Sequence, residues 1–123
     1  MTIIGNIVVW MVALSHVGFL VLEMFLWNKP IGLAIFGNDS CEGKKRADLS
    51  KTLAANQGLY NGFLGAGLFW GLSLGANGTS VKVFFLSCVL IAGLYGSASN
   101  RKVKILFIQA IPAALGLAFV LLS

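Results

Sequence analysis

The sequence predicts an all-α integral membrane protein, a single domain of 123 residues built as a bundle of four transmembrane helices. Three observations predict it. Hydrophobic residues make up 58% of the chain, against about 45–50% in soluble domains. They gather in four continuous runs, Ile3–Trp27, Leu53–Gly75, Val81–Ala98 and Ile105–Leu122, and roughly 17–25 helical residues cross ~30 Å of hydrocarbon. The nine Lys and Arg and the four Asp and Glu lie almost entirely between those runs. A membrane barrel does not fit, because its strands read as alternating segments of about ten residues.

The first run follows Met1-Thr2 with no positively charged start and no small-residue cleavage site. It is expected to persist as a helix rather than be removed as a signal peptide. The long connection Asn28–Thr52 comes next. Within it, Pro30–Gly37 is apolar but too short to span, and is expected in the membrane interface or against the bundle mouth. Asn38–Arg46, which holds Cys41, is expected as a solvated loop. Two cysteines, Cys41 and Cys88, do not make a disulfide framework.

The second run carries Gly58, Gly62, Gly65, Gly67, Gly71 and Gly75. Asn77-Gly78 makes a compact turn into the third run, which contains Ala92, Gly93, Gly96 and Ser97. The fourth contains Ala110, Ala113, Ala114 and Gly116. Small residues let helices approach closely where lipid supplies no hydrophobic drive. Packing inside one bundle is their first use, and a homo-oligomer through a spare face is the other. Pro112 should kink the fourth helix and free a carbonyl near Ile108, beside Gln109.

Charge sets the expected orientation. Lys29, Lys44, Lys45, Arg46 and Lys51 follow the first run, and Arg101, Lys102 and Lys104 follow the third, leaving only Lys82 on the other side. The basic side is expected to be cytoplasmic, with both termini outside. Trp27 and Trp70 then fall near the two interfaces. The partner implied is the lipid bilayer, and the basic loops would meet anionic lipid before any nucleic acid.

Glu23 is the one carboxylate inside an apolar run, and His16 is the one histidine. An ionisable group at bilayer depth usually faces a protein interior or a water-filled cavity. The two residues are seven apart, about 20° around the helix and ~10 Å along it. Counting from the basic ends, Asn56, Gln57, Tyr95 and Gln109 come level with Glu23, while Tyr60 and Asn61 lie a turn deeper. This layer is expected to converge on the interior as a polar funnel from Glu23 toward His16. An interhelical hydrogen-bond network that only fixes packing is one explanation, and a ligand or proton site is the other. No metal site is expected, since His16 has no second His or Cys at ligand spacing.

Ala13-Leu14-Ser15-His16 and Leu22-Glu23-Met24-Phe25-Leu26-Trp27 resemble the first helix of a bacterial membrane family known as domain of unknown function 1304. Asn56-Gln57-Gly58-Leu59-Tyr60-Asn61-Gly62 resembles that family's most distinctive motif, at the start of its second helix. Ala92-Gly93-Leu94-Tyr95-Gly96, and Gln109 with Pro112, fit its later helices. Ser15 departs from the pattern, at a position where many members carry an acid. The resemblance covers essentially the whole chain and implies four spans in a bacterial inner membrane.

Three functions remain open on this reading. The first is binding or transport of a small polar or amphiphilic molecule from the cytoplasmic side, with Glu23 as proton acceptor or cation counter-charge. Asn56, Gln57, Tyr60, Asn61, Tyr95 and Gln109 would line that site with His16. The second is a membrane-embedded isomerase or oxidoreductase acting on a lipid-like or quinone-like substrate, with His16 and Glu23 as acid and base. The third is an accessory subunit that docks another membrane protein through its glycine faces.

Overall fold

The computed structural model describes residues 2–123, and all regular structure among them is helical. Helix α1 is Thr2–Phe25, α2 Pro30–Ile35, α3 Cys41–Leu49 and α4 Lys51–Ser73. A 3-10 turn, Gly75–Gly78, leads into α5, Thr79–Asn100. The last helix begins as α6, Val103–Ile105, widens into a π-helical turn at Leu106–Ala110, and continues as α7, Ile111–Leu121.

Three stretches among the described residues are long and apolar enough to cross a membrane: Thr2–Phe25, Gly75–Asn100 and Val103–Leu121. They correspond to the first, third and fourth apolar runs. The second run is also one continuous helix, of 23 residues, but it is not among the three. Lys51, Asn56, Gln57, Tyr60 and Asn61 with its many glycines lower the hydropathy of α4.

The chain divides into two compact units, the chain up to Leu14 with Leu64–Ser123, and Ser15–Phe63. The first has an aliphatic core of Val9, Val12, Ala13, Leu68, Leu86, Val89, Ala113 and Val120. Its glycines are contact points. A Cβ on Gly93 would stand 2.7 Å from the Ala110 backbone nitrogen, and one on Gly116 would stand 3.2 Å from Leu86. Pro112 has no N–H for the Ile108 carbonyl, and its ring crowds that oxygen. The helix answers with the π turn just before it, so the disturbance expected at Pro112 is a widened turn that contains Gln109.

The second unit corrects the reading of the first connection. Asn38–Arg46 is not a loop throughout, because Cys41–Leu49 is helix α3. Ser40 caps it, its Oγ accepting from Gly43 N–H at 3.0 Å, an ordinary helix start that a search for spans passes over. Pro30 at the first position opens α2, whose Gly32 and Leu33 are buried. Trp27 lies in the turn after α1, where its Nε1–H donates to Ser50 Oγ at 3.1 Å and its ring meets Phe36.

Candidate functional site

The site grows from two stripes. Along α1 the buried positions are Gly5, Val9, Val12, Ala13, His16 and Glu23, which the ~100° step per residue gathers on one side. Along α4 they include Ala54, Gly58, Asn61, Gly65 and Leu68, again three or four apart. Within the unit Ser15–Phe63 the lower halves of these stripes meet. Asn61 Nδ2 donates to Glu23 Oε1 at 2.6 Å, with the two residues 8% and 5% exposed. A Cβ on Gly58 would lie 2.9 Å from Glu23 Cβ and 3.2 Å from the Leu20 carbonyl oxygen. Glycine at 58 therefore permits the approach that brings amide to carboxylate.

His16 is 1% exposed, with its ring edge-on to Phe19 at a centroid distance of 5.3 Å. Both ionisable groups of α1 are thus enclosed. The amides behave differently from one another. Asn56, Gln57 and Tyr60 lie off the buried stripe of α4 and are exposed. Asn56 and Tyr60 stand more than 100° from the Gly58–Asn61 line and Gln57 about 70° from it, so equal depth along the axis does not make them neighbours of Glu23. The partner of Glu23 comes instead from one turn deeper. Tyr95 and Gln109 belong to the other compact unit. On α5 the buried stripe is Lys82, Leu86, Val89 and Gly93, and Tyr95, two residues beyond Gly93, falls nearly opposite and is exposed. Gln109 is half-buried in the π turn.

A cavity of about 370 Å³ lies within the unit that contains α5, and none of these eight residues lines it. Its walls include Asn6 and Lys82, which sequence reasoning used only for charge counting or passed over. The available signal was a lone lysine in the first turn of an apolar helix. Among the described residues no three of His, Cys, Asp or Glu gather as a metal-binding set.

Helices suited to a bilayer, one of them holding an enclosed carboxylate met by an amide, define a class: small helical proteins with a carboxylate–amide pair buried between helices. The chain belongs to the family described as Protein of unknown function (DUF1304), whose pattern matches residues 10–121. It is similar to the uncharacterized protein YpaA of Lactococcus lactis subsp. lactis (strain IL1403), 32% identical over 117 residues that cover 95% of this chain and 96% of that protein. No solved structure matches.

Proposed function

We propose that the chain is a four-span protein of the bacterial inner membrane that binds or transports a small polar or amphiphilic molecule at Glu23. The burial of the Glu23 carboxylate against Asn61 inside an apolar helix carries this reading. A carboxylate in hydrocarbon is costly, and a network serving packing alone does not require one. In this reading α4 is the fourth span, for which its 23 residues supply about 35 Å. The basic residues after the first and third spans put those loops in the cytoplasm and both termini outside. Four helices then pack as one bundle with their exposed apolar side chains in lipid, and Glu23 takes up or releases a proton as the ligand moves.

The glycines bear on the accessory alternative. Gly58 and Gly62 meet α1 side chains, and Gly67 and Gly71 meet Phe85 and Lys82, so these small faces are occupied within the chain. That supports a site reading over a docking reading.

The test compares wild type, Glu23→Gln and His16→Ala purified in an uncharged detergent. Native mass spectrometry of wild type is expected to reveal a co-purifying small molecule, lost from both variants while they stay folded. A wild type without ligand, and variants that only melt earlier, would leave Glu23 a packing residue. A chemically altered lipid in the wild-type sample would instead favour the enzyme reading.

A further inference from the structure

The cavity in the unit that contains α5 has a cation in its wall. Lys82 is 6% exposed, and its Nζ donates to Asn6 Oδ1 at 3.1 Å. A lysine near the end of an apolar helix ordinarily snorkels, laying its stem on apolar surface and sending the ammonium to water. Lys82 does otherwise. Its stem lies across Gly71, where a Cβ would stand 2.8 Å from Lys82 Cγ, so a glycine on α4 clears the space that encloses it.

No Asp or Glu side chain in this unit balances this charge. All four Asp and Glu, Glu23, Asp39, Glu42 and Asp48, fall in Ser15–Phe63, the unit that does not contain Lys82. Among the described residues the ion pair formed is Lys44–Asp48, in that other unit. An ammonium has three donors, and among the described residues Lys82 donates to Asn6. A buried cation with neither counter-charge nor full hydrogen bonding is unfavourable unless something supplies both.

Polar side chains share the walls, although the Thr79 and Ser123 hydroxyls already donate to backbone carbonyls. Thr2, Thr79 and Ser123 line the cavity with Asn6 and Lys82. Because Asn6 accepts from Lys82 through Oδ1, its Nδ2 is left as a donor. Helix α5 starts at Thr79 directly after the 3-10 turn Gly75–Gly78, and Gly75, Ala76 and Thr79 form part of the same wall. Ammonium and amide N–H together form a site for oxygen acceptors carrying negative charge. The volume of about 370 Å³ lies at the small end of ligand pockets.

We infer that this cavity binds a phosphate oxyanion, either free phosphate or the phosphodiester of an anionic lipid headgroup, with Lys82 as its counter-charge and Asn6 as an orienting donor. The site shares no residue with the Glu23 site and does not depend on the function proposed there.

The test uses the full chain in an uncharged detergent, titrated calorimetrically with inorganic phosphate and, separately, with a short-chain phosphatidylglycerol. Wild type is expected to bind at least one of them saturably. Lys82→Met should weaken that binding by about tenfold to a hundredfold, and Lys82→Arg should largely retain it. Phosphatidylglycerol binding without phosphate binding identifies the lipid as the source, and phosphate binding identifies the free ion. Should Lys82→Met fail to fold, Asn6→Asp replaces it. That near-isosteric change gives Lys82 an internal carboxylate, and is expected to abolish anion binding while the fold melts no earlier than wild type. Absence of saturable binding to wild type, or equal binding by wild type and a folded Lys82→Met or Asn6→Asp, overturns the proposal.

Discussion

Asn61 donates its side-chain amide to the carboxylate of Glu23 across 38 residues of sequence, and both groups are buried. The bond ties the cytoplasm-proximal half of α1 to α4 in the proposed orientation. Replacing Asn61 by Leu leaves the carboxylate without this donor, and is expected to destabilise the protein by about 1–3 kcal/mol. Glu23→Gln keeps an acceptor oxygen for the same N–H and is expected to do far less harm. A double-mutant cycle with Glu23→Leu and Asn61→Leu, read by thermal unfolding in detergent, should give a coupling of roughly 0.6–2 kcal/mol. Additive single and double variants would mean the contact contributes nothing.

Gly58 and Gly18 provide a matched contrast. A methyl at 58 would press on Glu23 Cβ, Met24 Cγ and the Leu20 carbonyl, whereas one at 18 meets nothing within 4 Å. Gly58→Ala is expected to cost about 1–3 kcal/mol. Gly18→Ala should be neutral or stabilising by up to ~1 kcal/mol, since glycine weakens a helix interior. Equal melting shifts for the two variants would contradict the close approach.

Arg101 ends α5 in the left-handed region, at φ 53 and ψ 40. The Lys102 N–H reaches Ser97 O and the Arg101 N–H reaches Ala98 O, the paired bonds of a Schellman motif. Glycine normally fills this position because a Cβ is strained there. Arg101→Gly is therefore expected to raise stability by several tenths to ~1 kcal/mol. A lower melting temperature would show that the arginine side chain contributes more than its backbone strain removes.

Asp48, fully exposed on α3 and outside the apolar helices, accepts from Lys44 at 2.7 Å and from Asn28 at 3.1 Å. The Lys44 bond, then the Asn28 bond, holds its carboxyl below the usual aspartate range. A depressed folded-state pKa contributes stability above the unfolded value of about 3.9, and loses it as pH falls through the lower folded value. Wild type should therefore exceed Asp48→Asn by a small, constant margin from pH 7 to about 4, shrinking below that. A margin unchanged at pH 3, measured by thermal unfolding, would remove Asp48 as its source.

The long helices were legible because the bilayer length requirement writes itself into apolar runs. The inward side of α1 was also legible, since Gly5, Val9, Val12, His16 and Glu23 share a stripe by simple arithmetic. Asn61 belongs to the expected polar layer, but depth along α4 without rotation about it does not single it out as the partner of Glu23. The stripe Ala54, Gly58, Asn61, Gly65 and Leu68 would have selected Asn61 over Asn56 and Gln57. Helix α3 was missed because a polar helix carries no apolar period, and its one clear mark is the cap at Ser40. Lys82 was counted as charge, when its burial depends on Gly71 from another helix, a tertiary fact without a local signature.

The wide turn at Leu106–Ala110 amounts to one residue inserted into an otherwise regular helix. Removing a residue there would let the coil tighten, with Ala113, Gly116 and Val120 keeping their present heading toward the core. Removing one further along, between Ala113 and Gly116, would swing the tail through about 100° and turn aliphatic bulk where Gly116 now meets Leu86. Tolerance to a change in length is therefore confined to one short stretch of this helix, and that stretch contains Gln109.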